Sequence, residues 1–515
     1  MLKYLLLLLN FYYSNSFIFY SKNIYNVNNN FLKKINSNNL CSLFLNHKNH
    51  ISNINNNNFD FEEQWYPIAV DEFLNKKKIH KFKLLGKDLL LWHNKEKWIA
   101  FEDICPHRLA PLSEGRIEDN QLMCSYHAWK FNSNGNCSSI PHADIKKEKK
   151  QISHINACVK THPVKEEQFL IWVWGKQGNS GTLTAIKAAL KEPILIKELK
   201  NNNSKILPIN IRNIPYSWDM WFENILDPSH AYITHHNILG NRYNSPIYYK
   251  LINTNKMSKN KGFKQKIKHI TNKTHTINIG NVIGFNQEFI PPCLAKLTIL
   301  FENNINLCLI LYSTPSEPGH IISIGYPIIY SNMNNTNILK NPITILNYIV
   351  PFIPKWLSHI LSSLFLHQDL VLLHQQEKIL KQKNYNFSNR YSDIVYTPTP
   401  HDNGPIQFRE WLYKYAKNGL PYVNLEKYNN NLKKEDLFDV YNTHTKDCTV
   451  CMDALRNFKI IRNSLYFFGF ISMELRTNEN FNLFFMGLVL IGLGLALNRF
   501  IDLFYKYEFE HYLND

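Results

Sequence analysis

From residue 65 the chain alternates short apolar runs with turn-forming clusters. WYPIAV (65–70) is followed by runs at Phe82–Leu85, Leu89–Trp92 and Trp98–Phe101, separated by Gly86-Lys87-Asp88 and Asn94-Lys95-Glu96-Lys97. Runs of this length and composition, bounded by turn residues, predict antiparallel strands. FLIWVW (169–174), stopping at Gly175, predicts the last strand of this unit. The pattern then changes. Trp218, Trp221, Phe222, Ile225 and Leu226 recur at helical spacing and end near Pro228. Thr276–Ile283, Leu294–Phe301, Leu307–Tyr312 and His320–Ile329 predict a second antiparallel sheet. Lys- and Asn-rich 253–273 and Asn-rich Ser331–Asn341 read as solvated surface insertions. Near the end, Ser464–Met473 and Phe481–Leu497 are two apolar arms separated by RTNEN (476–480). The second arm is near the lower length limit of a membrane span, so the pair predicts a membrane hairpin. Lys459 and Arg462 before it and Arg499 and Lys506 after it would fall on one side. Gly487, Gly492 and Gly494 would permit close helix packing.

Charge changes the picture at the N-terminus. The chain of 515 residues carries a net charge of +17. Asp60 is its first acid, and five lysines precede it. Lys3 followed by Leu5–Leu9 has the form of a signal peptide, and the acid-poor, Ser-bearing stretch after it has the form of a transit peptide. Residues 1–59 therefore predict a bipartite targeting leader outside the fold. Nine cysteines in a chain this long argue against a disulfide scaffold.

Two cysteines have a more specific place. In CPHRLAPLSEGRIEDNQLMCSYH, Cys105-x-His107 is followed after sixteen residues by Cys124-x-x-His127. Two thiolates and two imidazoles suit a Rieske 2Fe–2S cluster, with Cys105 and Cys124 on one iron and His107 and His127 on the other. Zinc also accepts Cys2His2, but zinc fingers pair Cys with Cys and His with His. His142, His154 and His162 have no partner at ligand spacing and read as surface or hydrogen-bonded histidines. The second constellation is Asp227-x-x-His230-x4-His235. Two histidines and a carboxylate form the facial triad of non-haem Fe(II), which leaves positions open for O2 and substrate. His236 is the alternative to His235. The carboxylate is expected from FLHQDLVLLHQQEKIL (365–380), where Leu366, Asp369, Leu370 and Leu373 share one helix face. An acid on an apolar face is costly to bury unless it binds a cation, which favours Asp369, with Glu377 as the fallback. Cys448-x-x-Cys451 is the last motif. It lies outside any thioredoxin-like pattern, and only His444 is near in sequence, so zinc would lack a local fourth ligand. It reads as a redox-switchable dithiol or as two unreactive surface thiols.

CPHRLAPLSEGRI, the D-x-x-H-x4-H motif and the C-terminal C-x-x-C together resemble the Rieske non-haem iron oxygenases of the pheophorbide a oxygenase group. That group is related to the protochlorophyllide-linked oxygenase and to the Rieske component of the plastid import machinery. Leu109, Ala110, Ser125 and Tyr126 fill the loops where electron-transfer Rieske proteins carry extra cysteines. Ala128 departs from the group, which usually has Gly there. The resemblance implies an α+β fold: an N-terminal all-β Rieske domain (60–176), a helix-grip catalytic domain (200–430), a CxxC segment (440–457) and the hairpin (458–504). It implies mononuclear Fe(II) on His230, His235 and Asp369, and a role for Asp227 in bridging to a cluster histidine of a neighbouring subunit. The expected partners are ferredoxin and its reductase, O2, a tetrapyrrole substrate and a plastid membrane. No nucleic acid is expected, and a homotrimer follows by analogy. The competing readings are a redox-sensing subunit of a plastid import complex and the same chemistry on another apolar substrate.

Overall fold

In a computed structural model, the described residues are 58–200, 204–236, 242–243, 249–269, 282–301, 305–331, 354–422, 432–475 and 481–511. Residues 1–57 of the leader, RTNEN and 332–341 lie outside them. The leader's expected end at residue 59 needs correction, because Phe59 is buried against Trp411 and its N–H donates to the Tyr415 carbonyl at 2.6 Å.

The N-terminal unit is all β apart from short helical turns. Its strands are β1 (Trp65–Val70), β2 (His80–Leu84), β3 (Lys87–His93), β4 (Trp98–Glu102), β5 (Arg116–Glu118), β6 (Gln121–Met123), β7 (Lys130–Phe131), β8 (Cys137–Ser139), β9 (Thr161–His162), β10 (Val164–Glu167) and β11 (Leu170–Trp174). They form sheets ordered β2-β3-β4-β9, β5-β6-β7-β8 and β1-β11-β10. Several reversals are two-residue turns with both residues at positive φ: Leu85-Gly86, Asp119-Asn120 and Gln168-Phe169. That is the turn whose twist matches paired antiparallel strands. Leu90, Trp92, Phe101, Leu112, Leu122 and Phe131 form a core between the first two sheets, and Cys105 and Cys124 belong to it.

The second unit is an antiparallel sheet grasping a long helix. Its strands are β12 (Ser204–Ile206), β13 (Asn210–Ile214), β14 (Tyr249–Asn253), β15 (Phe263–His269), β16 (Val282–Ile290), β17 (Leu294–Phe301), β18 (Ile305–Glu317) and β19 (His320–Ser331). Their order is β12-β19-β18-β17-β16-β15-β14, with β13 also pairing β19. The long helix is Lys355–Gln382. Two expectations need correction. Residues 263–269 are strand, not a solvated insertion, because Phe263 and Gln265 are buried between exposed Lys264 and Lys266. A period of two is present there, but lysines carry its outer face and mask it. The strand sought at 276–283 runs over Val282–Ile290 instead, and 276–281 fall outside the described residues.

The two units share one core. Trp172 meets Tyr312 edge to face at 5.3 Å. The Leu85 and Gly86 N–H groups donate to the Pro315 and Ser316 carbonyls at 3.0 and 2.6 Å, and Thr314 donates to the Pro67 carbonyl at 2.6 Å.

At the C-terminus, helices Thr449–Glu474 and Phe481–Asp502 pack against each other. The first runs unbroken from the CxxC motif into the apolar arm, across the expected 457/458 boundary. Phe467, Phe470, Val489 and Leu495 are each 58–64% exposed. A Cβ on Gly487 would stand 2.6 Å from the Gly469 carbonyl, so glycine is what allows the helices to approach there.

Candidate metal centres

The first centre sits on two loops of matching shape. Leu109 N–H donates to the Cys105 carbonyl at 2.9 Å, and Ala128 N–H donates to the Cys124 carbonyl at 3.0 Å. Leu109 and Ala128 both hold left-handed φ, 60° and 56°. Each loop thereby turns a buried cysteine inward and presents a histidine beside it. The His107 and His127 rings lie 4.6 Å apart. Trp129 stacks on His107 at 4.7 Å, and Tyr126 covers His127 at 3.9 Å. Asp103 anchors the first loop: its buried carboxylate accepts the Ser113 N–H and hydroxyl, both at 2.7 Å. Burial pushes the Cys105 thiol up to about 12, and the nearby Cys124 adds to this. A coordinated iron reverses that preference by taking the thiolate outright. His107 Nδ1 is buried and has no hydrogen-bond partner. A buried ring nitrogen without a partner, beside two unbridged buried thiols, fits a cluster of mixed ligation.

The second centre lies where the D-x-x-H segment meets the long helix. Helix Trp218–Ile225 buries Trp218, Trp221 and Phe222 against Phe289 and Phe408. The chain turns at Asp227-Pro228, and a short helix, His230–Thr234, follows, with His235 as its C-cap. Ligand atoms of His230, His235 and Asp369 all lie within 4.8 Å of one another. His235 Nε2 is 3.3 Å from Asp369 Oδ2. His235 Nδ1 faces the Gln368 side-chain oxygen at 2.8 Å, and His230 Nδ1 faces the Asp227 carbonyl. A carbonyl oxygen only accepts, so each Nδ1 carries the proton and each Nε2 keeps its lone pair. Phe365 stacks on His235 at 3.7 Å. Burial pulls the Asp369 carboxyl upward, and the Asn224 amide at 3.3 Å opposes it. Two imidazole lone pairs and a carboxylate in one buried spot fit a divalent iron.

The other sequence candidates fall elsewhere. Asp227 Oδ1 accepts the Ser229 N–H at 2.9 Å and the Ser229 hydroxyl, so its carboxylate stiffens the turn while its main chain orients His230. Glu377 accepts the Ser217 N–H at 2.8 Å and pairs with Lys381, which makes it the anchor of the Trp218 helix. His236 accepts the Arg242 N–H at 3.1 Å. His162 is buried and donates from Nδ1 to the Trp174 carbonyl at 2.8 Å. Gln368 and Asn224 escaped the sequence reading, because an amide next to a ligand leaves no periodic trace.

Cys448 and Cys451 are buried and unbridged, not surface thiols. His359, from the long helix, and His444 lie beside them, and the four ligand atoms fall within 4.8 Å of one another. The fourth ligand that the sequence lacked nearby comes from 85 residues before His444. A cleft of about 1200 Å³ opens beside His444 and Cys448 and is lined by Lys78, Lys81, Lys446 and Lys459.

Comparison with known proteins gives two family matches, the Rieske [2Fe-2S] domain over residues 64–163 and pheophorbide a oxygenase over residues 289–386. The chain is 29% identical over 436 residues to pheophorbide a oxygenase of Arabidopsis thaliana, covering 79% of this chain and 75% of that one. It is 30% identical over 438 residues to the protochlorophyllide-dependent translocon component 52 of the same plant, covering 77% and 74%. Dicamba monooxygenase bound to dicamba shares the fold at 16% identity with a TM-score of 0.51, covering 69% of this chain and 97% of that one.

Proposed function

This chain belongs to the Rieske oxygenase family that includes pheophorbide a oxygenase, and from that membership we propose that it oxygenates a chlorophyll-derived tetrapyrrole in a plastid. It is an O2-dependent enzyme of that family, with a 2Fe–2S cluster and a non-haem iron as its cofactors. Cys105, His107, Cys124 and His127 hold the cluster, and His230, His235 and Asp369 hold the iron. The observation that carries this reading is that both Nδ1 atoms face carbonyl oxygens, an arrangement that commits their protons there and leaves both Nε2 lone pairs for a metal beside Asp369.

The bound metals supply electron storage and O2 activation. The chain's own residues do the positioning. The Asp227 carbonyl and Gln368 fix the two imidazoles. Asn224 steadies the Asp369 carboxylate at 3.3 Å, and Phe365 closes one face of His235. Asp227 is the link between the centres: its carbonyl holds His230, and its carboxylate, half-buried at the turn, reaches a cluster histidine of a neighbouring subunit in a trimer. Electrons come from a ferredoxin, to which the lysine-rich surface is complementary. The apolar outer face of the C-terminal helix pair anchors the enzyme in a membrane where a lipid-soluble macrocycle partitions; the second helix has a mean hydropathy of 2.0 over its candidate span, with 17% of that window buried.

The test is turnover. Purified full-length protein, with ferredoxin, reductase and O2, should consume pheophorbide a, incorporate oxygen from O2 and lose this activity in His230→Ala. Asp227→Asn should retain both metals, because the carbonyl that holds His230 is main chain, yet slow electron transfer between the centres. Chlorophyllide and protochlorophyllide run alongside; turnover of one of these alone changes the substrate within the class. If every tetrapyrrole remains untouched, the substrate assignment fails.

The redox-subunit reading draws on the similarity to translocon component 52. The complete iron triad speaks against it, since a sensor has no use for His230, His235 and Asp369.

A further inference from the structure

We propose that His359, His444, Cys448 and Cys451 hold a structural zinc ion that clamps the foot of the C-terminal helix pair to the helix carrying Asp369. This site is separate from both centres above and uses none of their residues.

The geometry carries the proposal. His444 Nε2 lies 3.1 Å from His359 Nδ1 and 3.3 Å from Cys451 Sγ. His359 Nδ1 lies 3.2 Å from Cys451 Sγ and 3.7 Å from Cys448 Sγ. Around a tetrahedral zinc with ordinary bond lengths, ligand atoms stand about 3.3–3.8 Å apart. The observed separations are those of such a tetrahedron, slightly contracted.

The outer nitrogens of the two rings make the inner ones hard to explain without a cation. His359 Nε2 faces the Ile209 carbonyl at 3.1 Å, and His444 Nδ1 faces the Ile211 carbonyl at 2.6 Å. Both carbonyls can only accept, so both rings spend their proton there. The inner nitrogens are then two lone pairs pointing at each other across 3.1 Å in a buried pocket. Facing acceptors repel, and a divalent cation between them and the sulfurs removes the conflict. The carbonyls of Ile209 and Ile211 are also what metal-bound histidines need behind them, fixing ring orientation and tautomer.

Donor chemistry selects the metal. Two thiolates and two imidazoles suit zinc, and the charge of two thiolates cancels that of Zn2+, so burial costs little. All four ligands belong to the protein, as in closed structural sites, with no position open for substrate. The ligands span distant parts of the chain: His359 begins the long helix, His444 ends the turn before the 3-10 segment Thr445–Asp447, and Cys448 and Cys451 open helix Thr449–Glu474. Phe73, from the Rieske unit, closes the site edge-on to His359 at 4.9 Å. The cleft lined by His444 and Cys448 gives an ion its way in.

Full-length protein purified without chelators or an affinity tag of histidines should contain one zinc per chain by mass spectrometry of the metals. Growth with cobalt should give the thiolate-to-cobalt charge-transfer absorption of a tetrahedral S2N2 site. The band should survive in Cys124→Ser, which removes a Rieske thiol, and vanish in Cys451→Ser and Cys448→Ser. His359→Cys, which keeps four ligands, should retain zinc. The wild-type zinc content and His359→Cys decide the matter even where a serine variant does not fold. The proposal is overturned by wild-type protein that takes up no zinc, by a Cys448–Cys451 disulfide in protein alkylated directly from cells, or by Cys451→Ser that keeps its full zinc.

Discussion

Ala128 holds φ 56° in the second Rieske loop, where the resembled group usually carries glycine. Left-handed backbone costs an ordinary L-residue about 1–2 kcal/mol. Replacing it with glycine returns that strain but adds about 0.4–1 kcal/mol of unfolded-state entropy. Ala128→Gly should therefore stabilise the cluster-loaded protein by up to about 1 kcal/mol, seen as a higher midpoint for thermal loss of the cluster's visible absorption. A lower midpoint would mean that the methyl group packs usefully. Leu109 occupies the corresponding turn in the first loop at φ 60°, so the constraint belongs to the loop shape and not to one residue. At this scale much was legible. The pairing of Cys105 with His107 and of Cys124 with His127 announces itself because the proposed ligands of each loop are close in sequence. The convergence of Asp369 on His230 and His235 was foreshadowed by an acid on an apolar helix face. Gln368, Asn224 and His359 were not, since each acts across a fold-dependent distance.

Among the elements, helix Trp218–Ile225 has to be held still for His230 and Asp369 to meet. Arg409, on helix Asn403–Tyr415, does much of this. Its Nε donates to Glu223 and its Nη1 to Asp219 at 2.6 Å, and Tyr391 donates to the other Glu223 oxygen at 2.7 Å. The guanidinium also lies over the Tyr391 ring at 4.8 Å. Burial would lower the Arg409 pKa, yet Glu223 and Asp219 drive it well above its ordinary value. Arg409→Met leaves the two acids without their cation, and breaking a buried pair from one side costs about 3–5 kcal/mol. The midpoint of urea unfolding should fall accordingly, and iron should be lost before the cluster. A loss below about 1 kcal/mol would place the group in surface-like solvent. Element reading from sequence succeeded where one face is apolar, as at Leu294–Phe301, which is β17 end to end. It failed at Phe263–His269, where the outward face is lysine.

For the whole molecule, the position of the Rieske unit matters most. Its contact with the sheet combines a shared hydrophobic core with main-chain hydrogen bonds from Leu85 and Gly86. Relative domain motion is the ordinary expectation only where an interface is small or polar. Here the strand-end carbonyls of Pro315 and Ser316 hold a turn that cannot slide without losing both bonds. The cluster therefore cannot act as a swinging carrier that docks, loads and returns. With a cluster bound, delivery of its electron would be a fixed-distance event, set by tunnelling and driving force and not by diffusion of a tethered arm. Reoxidation of the prereduced cluster in a single turnover should then keep its rate when glycerol raises the solvent viscosity several-fold. A rate that falls in proportion to viscosity would show that the unit detaches, and that the bonds at Leu85 and Gly86 open during the catalytic cycle.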